Sequence, residues 1–217
     1  MNYSVLSAVA LTATLLVACG PNEAEIAAAK EKATADSLAA VAAAEHAYTI
    51  DAEASKVKWA GSMIGIKSHD GTVKMTAGDL TVQGGMVTGG SFTIDMNSIS
   101  PLDTNYAKDG AKQGTKAMLI GHLMSADFFD VANHPTASFK ITSTEGNTAT
   151  GELTVRGKTN TETVSDIVVT EGEGTVMATG KLTFDRQKYG VAFQMPMKDM
   201  VISDSIELSV ELNGTAK

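Results

Sequence analysis

The chain has 217 residues, 43% of them hydrophobic and 19% charged, with 25 acidic residues against 17 basic ones and a net charge of −8. That balance excludes collagen-like, disulfide-scaffold and wholly disordered classes, and the acidity makes nucleic acid a poor partner. A single cysteine excludes an internal disulfide and a thiolate metal cluster within the chain.

Residues 5–18 are apolar apart from Ser7, Thr12 and Thr14. A run of this length is too short for a membrane-spanning helix, which needs about 20 residues, but suits the core of a signal peptide. It ends in Leu16-Val17-Ala18-Cys19-Gly20, which resembles a bacterial lipobox. The resemblance implies that residues 1–18 are removed and that Cys19 becomes a lipidated first residue. It also implies a bacterial envelope location, and Gly20 favours the outer membrane. More than one acyl chain on Cys19 would suffice for stable anchoring. An ordinary secretory peptide is the competing reading.

Residues 19–47 follow as a tether. Alanine, glutamate and lysine dominate it, with Pro21-Asn22 before Glu23 and Glu25 as a helix start. Ile26, Leu38 and Val41 make no sustained heptad, so a coiled coil is not expected. A helical spacer and a partly disordered linker both fit.

From Tyr48 onward the apolar period is two. Val57 and Trp59 alternate with lysines; Phe92, Ile94 and Met96, then Ala137, Phe139 and Ile141, repeat the pattern. So do Val176, Ala178, Leu182 and Phe184, then Val191, Phe193 and Met195, and last Ile206 to Leu212. Such alternation marks half-buried antiparallel strands. Turn signals stand at Gly84-Gly85, Gly89-Gly90, Glu145-Gly146-Asn147, Arg156-Gly157-Lys158 and Glu171 to Gly174. About eight to ten strands result, in a barrel or a sandwich. One long break, from about Pro101 to His134, interrupts them. Within it Ser125 to Val131 suits a short capped turn, with Asp127 and Asp130 as caps around a Phe128-Phe129 plug.

The order of motifs in 48–217 is similar to that of the YceI family. The carriers are Tyr48-Thr49-Ile50-Asp51; Trp59 and Gly61; His69-Asp70-Gly71; Asn97-Ser98-Ile99; and His122-Leu123-Met124-Ser125-Ala126-Asp127-Phe128-Phe129-Asp130-Val131 with His134-Pro135. Gly151 to Gly157, Asp185-Arg186 and Val201 to Ile206 complete them. The resemblance implies an all-β fold: a lipocalin-like antiparallel barrel of about eight strands around an elongated apolar tunnel. It implies a polyisoprenoid or another long-chain amphiphile, such as a fatty acid or amide, as ligand.

A binding barrel needs an apolar lumen and few polar groups to orient a headgroup. The candidates for the lumen are Trp59, Phe92, Ile94, Phe139, Leu153, Val155, Phe184, Phe193 and Met195, although the same residues would fill a solid core. His122, Arg156 and Arg186 are candidates for a headgroup, the arginines through charge-assisted hydrogen bonds to an anion. Met195-Pro196-Met197 is the one close spacing that would suit a soft metal, and no metal or other cofactor is expected. The chain lacks Gly-x-Ser-x-Gly, a phosphate loop and His-Glu-x-x-His. The reading is therefore a non-enzymatic carrier or sequestering protein. A filled barrel that displays a surface to an envelope partner and an enzyme on this scaffold stand as alternatives, and a homodimer is left open.

Overall fold

The computed structural model describes residues 22–65, 67–194 and 201–217. Its N-terminal unit is a helix, α1 (Glu23–Ala43). The helix starts on a reciprocal cap in which the Glu25 amide donates to Asn22 Oδ1 and the Asn22 amide donates to Glu25 Oε2, each at 2.9 Å. At 21 residues it is about 32 Å long. Every side chain from Asn22 to Ser37 is exposed, as alanine-rich sequence without an apolar stripe dictates. Among the described residues no helix is long and apolar enough to cross a bilayer.

The second unit holds nine strands: β1 (Glu45–Ile50), β2 (Lys56–Met63), β3 (Lys67–Gln83), β4 (Met86–Pro101), β5 (Thr136–Glu145), β6 (Thr148–Val155), β7 (Lys158–Gly172), β8 (Thr175–Asp185) and β9 (Ile202–Ala216). All pairings are antiparallel. The sheet closes through β3–β4, and β1 and β2 share one position between β3 and β9. The result is an eight-position closed barrel, which settles barrel against sandwich. Strand β1 opens at Glu45, inside the alanine-rich stretch read as tether, because its backbone pairs with β3 from Glu45↔Gln83 onward.

Sidedness follows the alternation. In β8, Val176, Ala178, Gly180, Leu182 and Phe184 are buried, while Thr175, Met177, Thr179, Lys181 and Thr183 are exposed. Curvature comes from bulges; β3 alone shifts register against β4 at three places. Two glycines make room for aromatic side chains lying across the wall. A Cβ at Gly71 would strike the Trp59 indole, and one at Gly151 would strike the Phe139 ring.

Three local expectations change. Gly89-Gly90 lies inside β4 rather than in a turn, because a Cβ at Gly90 would come 2.8 Å from the Asp79 carbonyl oxygen and 3.1 Å from the Phe92 ring. Close strand approach, not chain reversal, uses these glycines. The long break contains a second helix, α2 (Lys116–Met124), whose N-terminus is capped by the Thr115 hydroxyl accepting from the Met118 amide at 3.2 Å. Ser125 to Val131 then turns through backbone bonds from Phe128 and Asp130 to the Ser125 carbonyl; Phe128 is buried, and the Asp130 carboxylate accepts from Asn133. Finally, Val191 and Phe193 are not in a strand. Their carbonyls accept from the Arg186 guanidinium instead of a neighbouring backbone.

Candidate functional site: an apolar cavity inside the barrel

Two buried apolar clusters form inside the barrel. One gathers Tyr48, Leu80, Val82, Val87, Val176 and Leu212 at the end holding the β3–β4 and β7–β8 turns. The other gathers Ile99, Leu123, Phe128, Val155, Phe184, Tyr189 and Val191 beneath α2 and the 3₁₀ helix Arg186–Tyr189. Between them runs a cavity of about 370 Å³. Many inward residues of its wall, including Trp59, Phe92, Ile94, Phe139, Ile141 and Val210, are only half-buried, because they face this space rather than one another.

At the β3–β4 end the lining residues Leu80, Val87, Ala149, Ala178 and Leu212 are all buried. At the β2–β3 hairpin the lining includes exposed Ser62 and Lys67. The mouth is therefore at the hairpin end. Polar side chains along the wall are few, and His122, on α2, is the one held among aromatic rings. It packs edge-on against Phe193 at 4.4 Å and against Phe128 at 5.6 Å. Its imidazole has no hydrogen-bond partner among the described residues.

Of the lumen candidates, Trp59, Phe92, Ile94, Phe139, Leu153, Val155, Phe184 and Phe193 all line the cavity. Met195 and the Met195-Pro196-Met197 spacing lie outside the described residues, as do Cys19 and the apolar run before it. The headgroup candidates separate. His122 faces the cavity, whereas the two arginines do not line it. Arg156 donates to the carbonyls of Gly190 and Ala126. Arg186 is 1% exposed and donates to the carbonyls of Ser203, Val191, Phe193 and Ile202 and to the Asp204 carboxylate at 2.9 Å. A buried guanidinium needs this many acceptors. Both arginines thus fasten the loops around the upper cluster.

Two polar clusters escape any reading of local motifs. Near the mouth, His69 Nδ1 lies 2.8 Å from Asp103 Oδ2, and the Tyr106 hydroxyl donates to Asp103 Oδ1 at 2.7 Å, with the His69 and Tyr106 rings stacked at 5.9 Å. Burial pulls the Asp103 carboxyl upward, but the hydrogen bonds from Tyr106 and His69 outweigh it and hold it below its usual value. Burial, then the bond to Asp103, raises the Tyr106 hydroxyl. At the closed end, the Tyr48 hydroxyl donates to Glu171 at 2.6 Å, and His46 Nδ1 lies 2.9 Å from the same oxygen. Burial followed by that bond pushes Tyr48 up to about 12, and the Tyr48 bond followed by His46 lowers Glu171. The partners stand 34 and 123 or more residues apart, so no spacing rule finds them. Among the described residues no three His, Cys, Asp or Glu side chains converge as a metal site.

A sequence profile of the YceI-like domain matches residues 48–214. The chain belongs to the YceI-like family. The crystal structure of Burkholderia cenocepacia BcnA is 22% identical to it with a TM-score of 0.60, over 76% of this chain and 99% of that one. It shares the YceI-like fold. A polyisoprenoid binding domain from Saccharophagus degradans, implicated in plant cell wall breakdown, is 14% identical with a TM-score of 0.49, over 79% of this chain and 99% of its own. No curated protein matches the chain at a significant level.

Proposed function

We propose that this barrel binds one long-chain amphiphile of the isoprenoid or fatty-acid class, as a carrier or sequestering protein of the bacterial envelope. The carrying observation is the apolar cavity of about 370 Å³ with one mouth. Taking a methylene at roughly the 30 Å³ share of a liquid water, it holds about 12 such groups. At about 0.8 kcal/mol per buried methylene the tail gains about 10 kcal/mol, set against association costs of about 4 kcal/mol or more. Desolvation therefore suffices for binding, and His122 is placed to meet a polar group entering the lumen. The competing reading, a filled barrel that only displays a surface, finds no support in an interior of this volume.

The Leu16 to Cys19 lipobox supports an anchored form, with Cys19 lipidated and the tether carrying the barrel beside an envelope membrane, the outer one favoured by Gly20. The test is native mass spectrometry of protein purified from a bacterial host. A retained mass of a single-chain lipid is expected, and delipidated protein should take up one equivalent of a long-chain fatty acid or isoprenoid. A barrel that is empty as purified and takes up neither refutes the proposal.

A further inference from the structure

The end of the barrel that opens is also where its surface becomes apolar. Ile64 is 60% exposed at the tip of the β2–β3 hairpin, and its amide donates to the carbonyl of Val201, itself 52% exposed, at 2.8 Å. Leu102, 51% exposed, is tied by its amide to the Asp70 carbonyl on the same hairpin. Met118, 49% exposed, lies on α2 next to Leu119, which lines the cavity. Isolated exposed apolar side chains need no explanation, but a set surrounding a cavity mouth does.

Charge on these segments runs against that of the chain. The hairpin carries exposed Lys67, and the 102–116 loop carries Lys108, Lys112 and Lys116. None of the four is ion-paired among the described residues, whereas Lys56, Lys181, Lys188 and Lys217 each lie on a carboxylate. The facing acids are Asp70 and Asp109, both exposed; Asp103 is taken up by His69 and Tyr106, and Asp127 follows α2. A local excess of lysine on a chain of net charge −8 is complementary to anionic headgroups.

We infer that the mouth end docks onto an anionic phospholipid bilayer, with Ile64, Leu102 and Val201 entering the interface and the lysines meeting headgroup phosphates. Contact at this end lets a chain pass between bilayer and cavity without crossing water. The purpose of the contact rests on the ligand reading above; the contact itself does not.

The test uses the full chain with Cys19→Ser and one new thiol, Ile64→Cys or Met86→Cys, carrying an environment-sensitive fluorophore. Met86 is similarly exposed, at 54%, but sits at the closed end. Vesicles of phosphatidylcholine, with and without phosphatidylglycerol, are added. The label at position 64 should shift to the blue and brighten severalfold, more with phosphatidylglycerol and less as salt rises, while the label at 86 stays unchanged. An unresponsive label at 64, or equal responses at both ends, overturns the docking. A blue shift at 64 without vesicles that grows with protein concentration also overturns it, showing a second copy on this face instead. Uptake of a fluorescent fatty acid in vesicle-free buffer is measured on the same proteins. Uptake without a vesicle response defeats the docking alone, and a vesicle response without uptake defeats the ligand reading alone.

Discussion

Tail length is the variable that interrogates the cavity most directly. A lumen of about 370 Å³ admits about 12 methylene-sized groups. Within that limit each added methylene should tighten binding by about 0.8 kcal/mol, which is about fourfold in Kd. Lengthening a saturated fatty acid by four carbons should therefore improve affinity about 200-fold while the tail is still filling the barrel. Beyond the limit the added carbons remain at the mouth, beside Ser62 and Lys67, and the curve should flatten. The assay is displacement of a fluorescent fatty acid in vesicle-free buffer, with each competitor below its micellar concentration. Ile94 faces the cavity from mid-wall, so Ile94→Trp should move the break to shorter tails. A flat response across all lengths would refute burial of the tail. A constant slope through the longest tails, with no break, would refute a closed end at Leu80, Val87 and Leu212.

Three further outcomes test the surroundings of the cavity. His122→Leu should weaken acids about threefold to tenfold while leaving an alkane tail analogue unaffected, the worth of one hydrogen bond to a polar group, read in the same displacement assay. Arg186→Met removes the guanidinium that satisfies four carbonyls, and should cost about 3–5 kcal/mol in urea unfolding; a cost below about 1 kcal/mol would show that the loop holds without it. Glu171 and Asp103 are both lowered in the folded barrel, so their stabilisation is complete above their ordinary values of 4.5 and 3.8 and is lost as pH falls through the lower folded ones. Melting temperature should therefore drop steeply in acid, and Glu171→Gln should make the drop shallower; an unchanged slope would remove Glu171 from this account.

Much of the barrel was legible because its signal is local. A period of two in β4, β5, β8 and β9 says which side chains face inward, and closure then converts one face of every strand into one lumen. For the same reason eight of the nine lumen candidates line the cavity, the ninth lying outside the described residues. The period misled at Val191 and Phe193, where the inward alternation is real but the backbone partner is a side chain, Arg186. The headgroup candidates divided on a matter that spacing does not encode. Arg156 and Arg186 look like surface cations after turns, yet each guanidinium is surrounded by carbonyls brought in by other loops.

By itself the sequence determined strand sidedness, most turns, the helical start at Asn22 and the family, since each depends on neighbours within a few residues or on ordered motifs. Tertiary structure alone decided that the barrel is hollow, which end is open, and that His69, Asp103 and Tyr106 meet. Volume and convergence are properties of segments distant in the chain, and no local pattern of residues carries them.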